Sequence, residues 1–283
     1  MNKYLLILIS LVLMSSSLFA KEKITWHVVH WPPFQMLDGV DKGKGRFDAL
    51  LNLFRENLPQ YEHETLRMNW ARFFNDVKKG EKVCSIFIIK TDERETFAEF
   101  SKIVTFNFPI RIIMRKSTIR ELGNPDSLSI VDMLENSRFK GVIESKRSYT
   151  PQIDTLLLKH KANISPRPIQ ARNIIQMLVS GRTDYTIEYP YTANYLAKEF
   201  QSDYPAELGS IEIKELSNFL ISHFACPKNE WGHEVVKDFD TMLKKVRPTP
   251  EYLKIMKMWH TDPQEIEVIE STFREMFLKG NQE

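Results

Sequence analysis

The chain has 283 residues, room for one large domain or two modest ones. Hydrophobic residues make up 42% and charged residues 27%, which excludes a mainly disordered chain, a collagen-like repeat and a Cys-rich scaffold. Lys plus Arg number 39 against 37 Asp plus Glu, a net charge of +2 with no basic run longer than two, and this balance argues against a dedicated nucleic-acid binder.

Residues 1–20 read as a secretory signal peptide: Lys3, an apolar run from Tyr4 to Met14, then a Ser-rich stretch ending at Ala20. The apolar run is roughly half the ~20 residues that a spanning helix needs, and the alternative is an uncleaved N-terminal anchor. No Cys lies near Ala20, so a lipid-modified cysteine is not expected there. Cleavage near Ala20 predicts a periplasmic or secreted protein and removes one Lys and no acid, leaving +1. The two cysteines, Cys84 and Cys226, then read either as a disulfide or as two buried thiols.

The first predicted element is a strand over 24–31, rich in β-branched and aromatic residues and stopped by Pro32-Pro33. Gly39, Gly43 and Gly45 mark a loop; Phe47, Leu50, Leu51, Phe54 and Leu58 then recur at helical spacing until Pro59. A short strand over 65–68, a helix over 70–79 and an apolar strand over 83–89, expected to be buried on both faces, complete a β-α-β-α-β unit. A second α/β unit follows, with strands at 110–114, 141–143 and 184–188 and helices after Ser129 and over 153–158, 174–179 and 191–200. The last section holds a strand over 221–226, an amphipathic helix through Val235, Phe239, Met242 and Val246, and a helix capped by Thr249-Pro250 that carries Trp259. A further helix with a frayed end is expected over 262–283.

Several landmarks fall in one order: Trp31-Pro32-Pro33-Phe34, Gly45-Arg46-Phe47-Asp48, Lys90-Thr91-Asp92-Glu93-Arg94-Glu95, Glu99-Phe100-Ser101, Gly141-Val142, Ser180-Gly181-Arg182-Thr183-Asp184 and Lys257-Met258-Trp259. In this order the chain resembles the family 3 extracellular solute-binding proteins, which have the type II periplasmic binding protein fold and include amino-acid-binding proteins. The resemblance spans most of residues 24–260. It implies an α/β protein of two lobes, each an open, mostly parallel sheet flanked by helices, joined by two crossover strands. Lobe 1 would be 21–107 plus 220–283, and lobe 2 would be 108–219. Cys84 and Cys226 would both lie in lobe 1 strands, which favours pairing. Ligand would sit between the lobes, where strand ends and helix N-termini converge.

The resemblance also implies a ligand set. Arg94 offers a planar fork for a carboxylate, the alternative being a salt bridge to Glu93, Glu95 or Glu99. Trp31 and Phe34 flank the Pro-Pro turn and give an aromatic face for an ammonium group, with Trp70 a further wall. Ser145, Arg147 and Ser148, beside Lys146, form a basic turn suited to an anion. Glu188 or Tyr189 would pair a ligand ammonium. Phe87 and Ile89 depart from relatives, which carry a small residue and a hydroxyl there; they narrow the cleft and leave the standard amino-acid pose open to question.

The leading function is a non-catalytic protein that captures a small polar, carboxylate-bearing, amino-acid-like solute. It would hand this to an ABC importer permease or a membrane sensor, with no nucleic acid, acting as a monomer. The alternatives are a dehydratase-like enzyme on the same scaffold, with Glu188 its acid or base, and an exported protein that has lost its ligand. No nucleophile–base spacing stands out, and no cofactor is called for. His27 and His30, three apart on the expected first strand, should face opposite ways, so no metal site is expected.

Overall fold

The computed structural model describes residues 21–279 apart from 146, 161–162, 217–218 and 261–262. The expected signal peptide, Lys146 and the last four residues lie outside the described residues. The strands are β1 (Lys23–Val28), β2 (Glu62–Arg67), β3 (Val83–Ile88), β4 (Ala98–Asn107), β5 (Arg111–Arg115), β6 (Ser127–Leu128), β7 (Gly141–Glu144), β8 (Ile164–Arg167), β9 (Tyr185–Glu188), β10 (Leu208–Ile213) and β11 (Leu220–Pro227). The helices are α1 (Arg46–Glu56), α2 (Trp70–Lys78), α3 (Asp92–Glu95), α4 (Lys116–Glu121), α5 (Ile130–Glu135), α6 (Pro151–Lys159), α7 (Ala171–Val179), α8 (Pro190–Ala197), α9 (Glu230–Val246), α10 (Pro250–Met256) and α11 (Pro263–Phe273).

Two sheets organise the chain, in the orders β2-β1-β3-β11-β4 and β6-β10-β5-β9-β7-β8. In the first, β1 pairs in parallel with β2 and β3, and only β11 runs against its neighbours. In the second, only β5 is reversed, antiparallel to both β9 and β10. Each lobe is therefore a mostly parallel α/β layer. All six residues of β3 are buried, as its unbroken apolar pattern predicts. Helix α9 buries Val235, Val236, Phe239, Met242, Leu243 and Val246, and Phe239 stacks on Phe224 of β11 with centroids 4.0 Å apart. A disulfide joins Cys84 to Cys226 and so ties the neighbouring strands β3 and β11.

Several boundaries differ from the sequence reading. The first strand ends at Val28, and Trp31 and Gln35 close a separate bridge through reciprocal backbone hydrogen bonds of 2.8 and 2.9 Å. His30 is consequently not on a strand; its Nδ1 accepts the Leu37 N–H at 3.1 Å. Strands β4 and β10 have no clean alternation and were not expected. In β4 both faces are covered at the end nearer the second lobe, which removes the polar half of the pattern.

The turn from Trp31 to Phe34 is fastened to the start of α1. The Phe47 N–H donates to the Phe34 carbonyl at 2.6 Å, and Asp48 Oδ2 accepts from Met36 N and Gly45 N at 2.8 and 3.0 Å. A Cβ at Gly45 would sit 2.4 Å from the Phe34 carbonyl oxygen, so only glycine permits this approach.

Candidate functional site

The lobe 1 wall is a row of rings. Asn69 caps α2 by accepting the Arg72 N–H at 2.9 Å, which sets Trp70 at the first helical position. Trp70 meets Phe87 edge-on at 5.4 Å and Phe74 at 6.2 Å, and Phe87 lies 6.3 Å from Trp31. Trp31 and Trp70 are half-buried, whereas Phe34 and Phe87 are buried, each stacked on Phe47 at 4.8 and 4.5 Å. Phe34 and Phe87 therefore back the wall rather than surface it. Behind Trp70 the buried His27 packs at 4.6 Å; its Nε2 faces the Met68 carbonyl at 3.0 Å and its Nδ1 faces Ser85 Oγ at 3.3 Å. Burial pulls its pKa down to about 4, against the opposing Met68 hydrogen bond.

Arg94 stands at one end of this row. Thr91 caps the short α3, accepting the Arg94 N–H at 3.3 Å, and Arg94 Nη1 donates to the Ile89 carbonyl at 2.7 Å. The guanidinium carbon lies 4.5 Å from the Phe74 ring centre. The neighbouring acids are engaged elsewhere: Glu93 with Lys78 at 3.6 Å, Glu95 with Lys90 at 2.7 Å and Glu99 with His233 at 3.7 Å. Among the described residues no carboxylate forms an ion pair with Arg94. Burial draws its pKa below the ordinary arginine value, and Glu93 and Asp154, the latter from lobe 2, act in the other direction.

Lobe 2 contributes a buried ion pair. Arg147 grips Glu188 with two parallel hydrogen bonds of 2.5 and 2.8 Å, and Glu188 Oε1 also accepts the Tyr189 N–H at 2.9 Å. Arg147 lies over the rings of Tyr149 at 4.9 Å and of Trp31, in the other lobe, at 5.5 Å. Burial opposes the charge on Arg147, but Glu188 outweighs it and holds the guanidinium well above its ordinary pKa. Of the two serine candidates in this turn, Ser145 donates its backbone N–H to the Arg167 carbonyl of β8 at 2.8 Å, and Ser148 Oγ donates to Asp154 Oδ2 at 2.5 Å.

The lobes meet along an aromatic seam. Tyr189 lies 5.9 Å from Trp31 and 5.2 Å from Phe34, and Tyr191 lies 5.1 Å from Phe34. The Tyr195 hydroxyl donates to Asp41 Oδ2 at 3.1 Å. Beneath the seam sits Arg46, only 3% exposed, its guanidinium over Phe34 and Phe47 and donating to the Asn107 side chain and the Met256 carbonyl. Sequence reasoning missed Arg46, although it shares a helical face with Leu50, Leu53 and Phe54. It also missed Phe74 and Asp154, whose roles depend on contacts across the fold.

The structure thus brings Trp31, Phe34, Phe87, Arg147, Glu188 and Tyr189 together, with Trp70 and Arg94 further along the same wall. Among the described residues no three His, Cys, Asp or Glu side chains converge on a metal position. None of the described helices is long and apolar enough to cross a membrane. A groove of about 560 Å³ lined by Phe108, Ile110, Ile213 and Phe219 involves the crossover segments and none of these site residues.

Comparison with known proteins gives one family. The model of the bacterial extracellular solute-binding proteins, family 3, matches residues 25–262. No curated protein matches the sequence. Among solved structures, one from work on glutathione import via GshT and the cystine importer TcyBC of Streptococcus mutans has a TM-score of 0.67 at 16% identity, covering 84% of this chain and 95% of that one. A histidine kinase sensor domain with similarity to periplasmic binding proteins has a TM-score of 0.66 at 16% identity, covering 85% and 96%. A putative L-cystine ABC transporter protein from Listeria monocytogenes has a TM-score of 0.65 at 17% identity, covering 84% and 95%. At these identities the likeness is one of fold.

Proposed function

Since the chain belongs to family 3 of the bacterial extracellular solute-binding proteins, a family of binding proteins and not enzymes, we propose that it captures a small carboxylate-bearing solute of amino-acid size between its lobes and delivers it to an ABC importer. The observation that carries the ligand class is Arg94: a half-buried guanidinium beside an aromatic wall, with no ion-paired carboxylate among the described residues. A cation drawn partly out of water without a counter-ion favours an incoming anion, and its planar fork matches a carboxylate. In this reading residues 1–20 direct export and are removed near Ala20, lobe 1 comprises 21–107 and 220–283, lobe 2 comprises 108–219, and the protein acts as a monomer. Delivery to a membrane sensor is the second reading, favoured by the fold shared with the kinase sensor domain.

Calorimetric titration of residues 21–283 with amino acids and small carboxylates tests the proposal. Saturable binding that Arg94→Lys abolishes, with the fold intact by circular dichroism, is the expected result. Binding unchanged in Arg94→Lys would overturn the role of Arg94.

A further inference from the structure

We infer that Arg147 permanently occupies the position a ligand ammonium would take, so that the cleft selects carboxylates lacking an α-amino group. This rests on the solute-binding reading above and narrows its ligand.

An ammonium entering the cleft needs a carboxylate or an aromatic face. The buried carboxylate on the lobe 2 side is Glu188, only 2% exposed; both its oxygens accept from Arg147, and one also accepts the Tyr189 N–H. The aromatic face opposite is Trp31, and the same Arg147 lies 5.5 Å from its ring centre. One side chain of the protein therefore uses both groups that a ligand ammonium would seek. Asp154 is engaged too, accepting from Ser148 Oγ at 2.5 Å and from Tyr149 N at 2.9 Å.

Glu144 is a further carboxyl on this side. The pairing of Gly141 with Tyr185 in the parallel strands β7 and β9 sets Glu144 level with Glu188 and on the same face. Burial raises its pKa, Arg147 acts to lower it, and Glu188 raises it further. At the other end of the wall, Arg94 has no ion-paired carboxylate among the described residues, and the half-buried Trp70 and Phe74, with Phe87 buried behind Trp70, give the wall an apolar stretch beside it. An anionic head and an apolar body without an ammonium is the ligand that pairs Arg94 and leaves the Arg147–Glu188 pair intact.

The test is calorimetric titration of residues 21–283 with matched pairs: 3-phenylpropionate and L-phenylalanine, 4-methylpentanoate and L-leucine, glutarate and L-glutamate. In at least one pair the deaminated acid should bind about tenfold tighter or more, and Arg94→Gln should remove that binding. Arg147→Ser should shift the ratio toward the amino acid; circular dichroism checks its fold, and the wild-type ratio is decisive if that variant does not fold. Amino acids binding more tightly than their acids in every pair would overturn the inference and leave solute binding standing. Amino-acid binding that Glu144→Gln abolishes would overturn it by placing the ammonium at Glu144. No binding by any member of the pairs would overturn the solute reading and this inference with it.

Discussion

Acid should destabilise this protein through His27. The imidazole is 2% exposed, packed between Trp70 at 4.6 Å and Phe73 at 4.7 Å, with the Met68 carbonyl and Ser85 as its polar partners. Its pKa is about 4 in the fold, against 6.5 for an ordinary histidine. Below 6.5 the unfolded chain takes up the proton first, so the stability that neutral His27 contributes is intact above that pH and is lost as the pH falls toward 4. Over the whole window the loss is about 3 kcal/mol, of which about 2 kcal/mol has gone by about pH 5. Burial also lowers the pKa of His30, His63 and His223, so wild-type stability alone does not isolate the effect. Urea unfolding of wild type and His27→Gln at about pH 7.5 and about pH 5 does, because the other histidines contribute to both proteins. His27→Gln should be weaker at neutral pH and should lose about 2 kcal/mol less than wild type on acidification. Equal losses in the two proteins would refute the assignment of a neutral, desolvated His27.

Arg147→Ala should cost about 3–5 kcal/mol in chemical denaturation, because it leaves Glu188 buried without a cation, and Arg147→Met with Glu188→Gln should recover most of it. Replacing both cysteines by Ser opens a link between positions 142 residues apart and should lower stability by up to about 5 kcal/mol on the chain-entropy account; reductant should then shift the melting temperature of wild type but not of the variant. Gly141→Ala would set a Cβ 2.4 Å from the Tyr185 ring, and a thermal melt should show a loss of about 1–3 kcal/mol.

Much of the fold was legible in the chain. Periodicity located α1, α9 and the doubly buried β3, and caps at Ser129 and Thr249 accept the first N–H groups of their helices as the sequence suggested. These features are local: spacing, branching and turn chemistry act within a few residues. Strand β4 escaped because its pattern is set by two different environments along its length. For the site, sequence order identified the residue types at each position but not their partners. Arg94 and Arg147 look alike as exposed-looking cations in polar turns; tertiary structure leaves one without an ion-paired carboxylate and gives the other a buried one.

The amino-acid sequence by itself determined the α/β class and the cationic and aromatic residue types of the wall, since these depend on composition and local pattern, and the order of its motifs carried the resemblance to the family. Only the tertiary structure decided that Glu188 and Trp31, groups suited to an ammonium, are both met by Arg147, and that Cys84 and Cys226 are bonded. Arg147 and Glu188 are 41 residues apart and the cysteines 142 apart, so these contacts depend on strand order and register, which no local pattern encodes.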